Sequence, residues 1–362
     1  MNDVFTLEGN VTIQKRSVDS CTDGCEKMAR ITMRDIGKAA GVSVVTVSKA
    51  LAGKPGMSEE TRKNICRIAE QAGYHYPDTQ KEITRTRLDI GIMIPEKYFA
   101  SESFYAEIYK ELVRQLAKLN HFGLLELISK ESEEALEPPV LMKNHHVDGM
   151  ILLGEPNKDY YRMLAGQSFP VVYLDFYDEQ STADAVVGDN TYGCYRLTSH
   201  LIRNGHRDIG FIGNYQVTSS IMDRYLGFCR AMLSNKLPIR DEWVLNDRDQ
   251  NGEFTEIILP EKMPTAFVCN CDLVAQRLIV CLRQAGYRVP EDISVTGFDD
   301  YITGARNDSE ISTFRVDTDS MVGHAIKLIT ERCAGLNTPF GRTVVSGQPV
   351  YRTSETTKNE KA

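Results

Sequence analysis

The sequence predicts a small all-α head followed by an α/β body of two doubly wound parallel-sheet subdomains. Helix caps and buried-face spacings recur three times within residues 28–74. From residue 88 onwards, short apolar strands alternate with amphipathic helices in two successive sets. The charge divides at the same place, because residues 28–87 carry eleven Lys and Arg against six Asp and Glu, whereas residues 88–362 carry 28 against 39.

Composition restricts the class of protein. The chain has 362 residues, of which 42% are hydrophobic and 25% charged, as in a soluble globular protein of two or three domains. It has neither an apolar run of the ~18 residues that a membrane span needs nor a signal-peptide pattern, so we expect a cytoplasmic protein. Nine scattered cysteines predict reduced thiols. The basic head is suited to contacting phosphates, whereas the acidic body is not.

The head contains the stretch GVSVVTVSKALAGK, which begins at Gly41 and has two readings. Its four valines favour a β-strand by propensity. Ser43, however, is placed to cap a helix, and the stretch lacks the alternation of a strand. A helix would have two distinct faces. Its inner face would carry Val47, Ala50 and Leu51, and its outer face would carry Val44, Val45, Ser48 and Lys49. We therefore predict a helix.

Two further helices flank this one. Thr32 is the expected N-cap of the first helix, which ends at Gly41. Ser58 is the expected N-cap of the third, whose apolar stripe includes Ile65 and Ile68. Two short helices joined by a glycine-containing turn and supported by a third predict a helix-turn-helix, with the valine-rich helix as its recognition helix.

The body is predicted from its alternating pattern. Strands are expected at 88–95, 147–154, 170–175, 208–214, 265–270 and 293–300, and helices at 104–119, 225–235 and 273–286. Ligands of such sheets bind outside the carboxyl ends of the strands, in a cleft that we expect between the two subdomains. Asp175, Asp272, Asp299 and Asp300 fall at those ends.

Several motifs occur in a fixed order from residue 30 to 355: ITMRDIGKAAGVSVVTVSKAL, SEETRKNICRIAEQAGY, IGIMIP, VDGMIL, HLIRNGHRDIGFIG, DRYLGF and ISVTGFDD. In this order they resemble the lactose/galactose repressor (LacI/GalR) family. The resemblance implies a DNA-binding transcriptional regulator, more often a repressor, with a periplasmic-binding-protein-like body. It implies a homodimer on double-stranded operator DNA and a small-molecule effector, such as a sugar, in the cleft. It implies no cofactor, metal or catalytic residue.

The resemblance also assigns DNA-contacting residues. Val44, Val45 and Lys49 match the positions that read bases. A lysine can reach guanine O6 and N7, whereas a valine can only contact a thymine methyl group or exclude a wrong base. The alternative for the valines is packing within the head. The positions that match phosphate contacts are Arg34, Ser43, Thr46, Ser48 and Ser58.

A hinge is expected over residues 75–87, where the family has a helix whose leucine wedges into the minor groove. Ile83 occupies the leucine position. The match is imperfect, because Pro77 lies one residue late and Gln80 and Lys81 replace small helix formers. We expect this segment to become helical only on DNA, and intercalation by Ile83 stays open.

The family pattern further implies an effector-binding set: Phe104, Tyr105, Asp175, Ser220, Arg224 and Asp272. An aromatic face with carboxylates and a guanidinium group is suited to a sugar ring and its hydroxyl groups. The alternative for each carboxylate is a helix cap at the end of a strand.

Of three other classes of function, the sequence disfavours two and leaves one open. An enzyme is disfavoured by the basic head and by the absence of GxSxG, HExxH, Walker and GxGxxG motifs. A transport-type sugar-binding protein is disfavoured by the missing signal peptide and the nine cysteines. A regulator controlled by a docking protein stays open as an alternative.

The predicted domains are a disordered leader at 1–27, the head at 28–74, the hinge at 75–87, the effector-binding and dimerisation core at 88–356 and a tail at 357–362.

Overall fold

The computed structural model describes residues 4–7, 11–14, 32–51, 57–71, 87–99, 103–144, 146–166, 169–301, 310–336 and 338–358. The chain divides into two compact units, one ending at Thr86 and the other beginning at Arg87. The hinge position Ile83 and the cysteines of the leader lie outside the described residues. Within the described parts, no helix is long and apolar enough to cross a membrane.

Two short strands lie in the predicted leader, β1 (Val4–Leu7) and β2 (Val11–Gln14), and they pair antiparallel. The structure therefore differs from the expectation of disorder for these eight residues. Their sequences, VFTL and VTIQ, are rich in β-branched and aromatic residues and lie close enough along the chain to pair as a hairpin.

The head consists of α1 (Met33–Ala40), α2 (Val44–Leu51) and α3 (Glu59–Gln71). The valine-rich stretch is therefore helical, as predicted. Six side chains form the buried centre: Ile36, Val47, Ala50, Ile65, Ile68 and Ala69. The close connection of α1 and α2 needs two glycines: Gly41 in the turn has φ +67°, and a Cβ on Gly37 within α1 would lie 2.9 Å from the carbonyl oxygen of Val42.

The body alternates strands and helices as predicted, with further elements that the sequence analysis did not identify. In chain order they are β3 (Asp89–Pro95), α4 (Phe104–Lys118), β4 (Phe122–Ile128), α5 (Lys130–Glu134), α6 (Val140–Lys143), β5 (Gly149–Leu153), α7 (Lys158–Ala165), β6 (Val171–Leu174), β7 (Asp184–Gly188), α8 (Asn190–Arg203), β8 (Ile209–Ile212), α9 (Ser219–Ser234), β9 (Val244–Leu245), β10 (Ala266–Cys269), α10 (Asp272–Gln284), β11 (Ser294–Thr296), β12 (Thr313–Arg315), α11 (Thr318–Cys333), β13 (Arg342–Val345) and β14 (Gln348–Val350).

Two parallel sheets organise these elements. The first has the order β13-β7-β6-β5-β3-β4 and the second β11-β10-β8-β9, and every pairing within them is parallel. β12 pairs antiparallel with β14, and an isolated bridge between Thr296 and Ser312 joins β12 to the edge of the second sheet. The doubly wound α/β body is thereby confirmed.

The two subdomains are not consecutive segments of the chain. The chain passes to the second subdomain between β7 and α8, returns between β12 and α11, and crosses again between β13 and β14. The simple succession of two sets predicted from the sequence is therefore incomplete, because α11 and β13 belong to the first subdomain. The return of α11 to the first subdomain buries its apolar side chains, because Met321, Val322 and Ile326 are fully or almost fully buried in the main core.

Candidate functional site

The outward face of α2 presents the predicted base-reading residues to solvent. Val44 is 40% exposed and Val45 64%, and Lys49 is also exposed. Val47 and Ala50 on the opposite face are buried. Packing within the head therefore does not account for Val44 and Val45, which leaves an exposed apolar surface beside a cation on a basic head.

Four of the five predicted phosphate-contacting positions lie at or near the beginnings of helices, and the fifth, Ser48, lies in the middle of α2. The Ser43 hydroxyl accepts from the backbone N–H of Thr46 at 3.1 Å, and the two side-chain hydroxyls are 2.9 Å apart. Ser58 accepts from the N–H of Thr61 at 3.1 Å in the same way. Both serines therefore act as the predicted N-caps. Ser48 is half-buried, and Arg34 lies in the first turn of α1.

The predicted effector residues of the body meet where the strands of both sheets end. Arg224 lies in the second turn of α9, which begins at Ser219, earlier than the predicted 225, because Thr218 caps it through the N–H of Ile221. The Arg224 guanidinium is almost completely buried. It donates to Asn190 Oδ1 at 2.8 Å and to the carbonyl oxygen of Asn270 at 2.6 Å.

Arg224 also holds the strand end that follows β11. It forms an ion pair with Asp299 at 2.9 Å and lies 4.1 Å from the ring centre of Phe298. Asp299 adopts φ +100°, a conformation that a non-glycine residue rarely takes unless its surroundings enforce it. Burial raises the pKa of Asp299, and the Arg224 charge opposes that shift.

Asp175 follows β6 directly and contributes a carboxylate from the first subdomain. Tyr105, in the first turn of α4, donates its hydroxyl to this carboxylate at 3.0 Å. Burial raises the pKa of Asp175 to about 7; the guanidinium of Arg224 opposes the shift, and the Asp299 carboxylate adds to it. The two subdomains therefore place Asp175 and Arg224 within electrostatic reach of each other.

Asp272 begins α10 and is held mainly by its own subdomain. Its carboxylate accepts from the Thr313 hydroxyl at 2.6 Å and from the N–H of Asp300 at 2.8 Å. Burial, followed by the Asp299 carboxylate, raises its pKa to about 8. Asp272 therefore does not cap α10, whose N-cap is Cys271; its carboxylate instead ties the start of α10 to β12 and to the loop after β11.

The two remaining predicted residues lie at the edge of this cluster. The Phe104 ring is 5.6 Å from that of Tyr105 and 5.9 Å from that of Tyr301, so aromatic rings from both subdomains meet there. The Ser220 hydroxyl is 3.1 Å from the hydroxyl of Thr218. Ser220 therefore also belongs to the N-terminal turn of α9.

Several polar residues of this cluster were not predicted from the sequence. Asn190 begins α8, and Asp247 and Arg248 follow β9. The Asp247 carboxylate accepts from Arg248 Nε at 2.8 Å and from Asn270 Nδ2 at 2.9 Å. Only position along the chain could have identified them, because Asn190 begins a helix and Asp247 and Arg248 lie in the loop that follows a strand, at the carboxyl edge of a sheet.

A cavity of about 830 Å³ lies at the same edge of the two sheets. Its walls include Glu133, Glu155 and Tyr177 from the first subdomain and Tyr215 and Gln250 from the second. None of the six predicted effector residues lines it. We regard it as the outer mouth of the cleft, since it is bounded by the loops that follow strands of both sheets, whereas the packed Arg224 cluster forms the inner end.

Contacts join the two walls beside this cavity. The Glu155 carboxylate accepts from the N–H and the hydroxyl of Ser219 at 2.7 and 2.8 Å. The Tyr177 hydroxyl donates to Asp223 at 3.1 Å, and Lys97 donates to the carbonyl oxygen of Asn251 at 3.2 Å. The cleft in this structure is therefore bridged by polar contacts from both sides.

Comparisons with known proteins agree with this architecture. Residues 32–77 match the family "Bacterial regulatory proteins, lacI family", and residues 198–355 match "Periplasmic binding protein-like domain". The HTH-type transcriptional repressor PurR of Actinobacillus pleuropneumoniae serotype 3 is 27% identical over 83% of this chain and 90% of its own length. The ribose operon repressor of Haemophilus influenzae is 25% identical over 89% of this chain and 98% of its own.

Solved structures have the same fold. A complex of the transcriptional regulator CelR with cellobiose covers 90% of this chain and 100% of its own, with 24% identity and a TM-score of 0.63. A lac repressor dimer bound to operator covers 90% of this chain and 99% of its own, with 19% identity and a TM-score of 0.59. These likenesses extend over both the head and the body.

Proposed function

Since the chain belongs to the lacI family of bacterial regulatory proteins and is therefore a DNA-binding, effector-regulated transcriptional repressor rather than an enzyme, we propose that its effector is a sugar or sugar derivative bound between the subdomains. The observation that carries this proposal is the buried cluster around Arg224, to which both subdomains contribute side chains. A ligand that contacts both walls stabilises one relative arrangement of them.

The chemistry of the cluster supports a sugar. The carboxylates of Asp175 and Asp272 can accept from hydroxyl groups in fixed directions, and the rings of Phe104 and Tyr105 can cover an apolar ring face. The names of two similar proteins point the same way, because one is a ribose operon repressor and the other is a transcriptional regulator in complex with cellobiose.

The head supplies the DNA contacts in this proposal. Val44, Val45 and Lys49 are the side chains that we assign to base edges, and Arg34, Ser43, Thr46, Ser48 and Ser58 are those that we assign to phosphates. Ile83 remains the proposed minor-groove residue of the hinge. Lys49 is exposed and its α2 neighbours are small or apolar, which suits insertion of this helix into a major groove. We place the protein in the cytoplasm, where the operator is accessible.

We further propose a homodimer that is formed by the bodies. β4 is an edge strand of the six-stranded sheet, and Phe122, Leu124 and Leu127 on it are all exposed. A long, apolar edge strand without a cover is a liability for a monomer and is normally shielded. A two-fold dimer would cover this strand and place two heads on one palindromic operator.

The test is operator binding with and without ligand. Operator fragments selected from random DNA by the full-length protein would be titrated by fluorescence anisotropy in the presence of ribose, cellobiose and other sugars. We expect a near-palindromic operator and an affinity that one sugar changes by at least about fivefold. Selection of a single asymmetric half-site, or an operator affinity that no small molecule changes, would contradict the proposal.

A further inference from the structure

Carboxylates outnumber cations at the inner end of the cleft. Among the described residues there, the buried carboxylates are Asp175, Asp247, Asp272 and Asp299, and the buried guanidinium groups are Arg224 and Arg248. Asp300, which follows them, is already paired with Arg315 at 2.7 Å and with Arg352 at 2.6 Å. The cluster therefore has no guanidinium group in excess of its carboxyl groups, even before a ligand enters.

Both guanidinium groups are committed to protein partners. Arg224 binds Asn190, the Asn270 carbonyl and Asp299, all within 2.9 Å. Arg248 binds Asp247 at 2.7 Å and stacks over the Phe254 ring at 4.7 Å. An anionic group of a ligand would have to break one of these pairs, which would leave a buried carboxylate uncompensated.

The groups that remain available suit a neutral ligand with hydroxyl groups. The Asn190 side chain is 2% exposed, and its Nδ2 is buried with no hydrogen-bond partner in the described part of the chain. A buried donor of this kind normally has an acceptor. The Asp175 carboxylate, which like Asn190 lies near Arg224, accepts from Tyr105 and has lone pairs left for a further donor. Hydroxyl groups both donate and accept, so a ligand that carries several of them can pair with both residues.

We infer that the effector carries hydroxyl groups and no phosphate or carboxylate group, and that Asn190 Nδ2 donates to one of its oxygens. This inference rests on the proposed function, since it describes the ligand of the same cleft. It excludes sugar phosphates, sugar acids and nucleotides, because each would place an anion in a region of low dielectric whose two guanidinium groups are already paired with carboxylates. Free sugars and nucleosides satisfy it.

The first experiment sorts natural ligands by charge. A small-molecule extract of bacterial cells that carry the gene would be passed over an anion exchanger, and the flow-through and the desalted salt eluate would each be added to the full-length protein. We expect the flow-through to raise the melting temperature and the eluate to leave it unchanged. Stabilisation by the eluate alone would overturn the inference and leave the proposed function standing. Stabilisation by neither would contradict both.

The second experiment uses near-isosteric variants that exchange a carboxyl group and an amide, with the flow-through as the probe. Asp175→Asn retains an acceptor for Tyr105 and tolerates the local φ of +72°. We expect it to need at least about tenfold more of the flow-through for half-maximal stabilisation, because a neutral amide accepts hydrogen bonds from hydroxyl groups more weakly than a carboxylate does. An anionic ligand would instead bind this variant more tightly, which would overturn the inference.

Two further variants complete this design. Asn190→Asp retains the acceptor for Arg224 Nε but removes the Nδ2 donor, and we expect it to weaken the response by a similar factor. Asp159→Asn removes one negative charge from an exposed position at the start of α7 and should respond like the wild type. A wild-type response of Asn190→Asp would remove Asn190 from the site.

Discussion

At the scale of single residues, one arginine organises the inner end of the cleft. Arg224 is the common partner of α8, the loop after β10 and the strand end after β11, through Asn190, Asn270 and Asp299. The sequence motif DRYLGF singled out this arginine as a ligand contact. The protein partners could not be predicted, because they come from residues 34, 46 and 75 positions away along the chain, and only the fold brings them together.

Arg224→Ala should destabilise the body strongly. It leaves the Asp299 carboxylate buried and unpaired, and such losses cost about 3–5 kcal/mol of unfolding free energy. Urea unfolding of the variant measures this. Arg230→Ala is the matched control on the same helix, because Arg230 is exposed and lies over Tyr195 at 4.9 Å. We expect the control to lose under about 1 kcal/mol, and equal losses for both variants would contradict the assigned role of Arg224.

Asp175→Asn should stabilise the ligand-free protein increasingly as the pH rises. Burial raises the pKa of Asp175 from 3.8 to about 7, so between these values the folded state holds this proton more tightly than the unfolded chain. Ionisation of Asp175 therefore lowers stability as the pH rises through this window. Asparagine does not titrate, so the stability difference between variant and wild type should grow by about 2–3 kcal/mol from pH 5 to pH 8. Urea unfolding at the two pH values measures it, and an unchanged difference would contradict the buried position.

Lys49→Ala should relax the specificity of DNA binding at one base pair per half-site. An exposed lysine on the recognition helix can donate to guanine, and such a contact is worth about 1–3 kcal/mol of discrimination. Anisotropy titrations on operators substituted at each position measure this. A uniform loss of affinity on all sequences would instead identify Lys49 as a phosphate contact.

At the scale of elements, strongly periodic segments were predicted well. Continuous apolar runs such as IGIMIP gave β3 within one residue of its observed bounds, and buried-face spacing correctly overrode valine propensity in α2. The return of α11 and β13 to the first subdomain was not predicted. No local pattern distinguishes a strand that joins a nearby sheet from one that crosses back, because pairing of β13 with β7 depends on residues about 160 positions apart.

The exposed face of β4 should be part of the dimer interface. Leu124→Lys places a charge beside Phe122, which points to the same face of β4, and burying it against a second copy would be costly. We expect the dissociation constant of the variant dimer to be at least about tenfold higher than that of the wild type, as measured by sedimentation equilibrium. Leu233→Lys on α9 is the control, since Leu233 is 67% exposed and distant in the fold from β4. If both variants dissociated equally, or if neither did, β4 would be excluded from the dimer interface.

At the scale of the whole molecule, effector and operator should influence each other equally. Bridges such as that between Glu155 and Ser219 hold the two walls of the cleft in one arrangement, and a ligand acts only if it binds two arrangements unequally. Linkage then requires operator DNA to change the ligand affinity by the same factor, typically ~5–150-fold. Calorimetric titration of the effector with and without operator DNA measures it. If the ligand changed the operator affinity but operator DNA left the ligand affinity unchanged, the two titrations would not describe one linked equilibrium, which would contradict this prediction.

The three crossings of the chain between subdomains also govern how a newly made polypeptide can fold. By residue 310 a ribosome has produced every strand of the four-stranded sheet, yet the six-stranded sheet still lacks β13 and the covering helix α11. The first half to be synthesised is thus the last to close its core. A chain that terminates before residue 318 releases an unfinished sheet with an exposed apolar face, which chaperones and proteases recognise, rather than a finished subdomain that could persist in the cell.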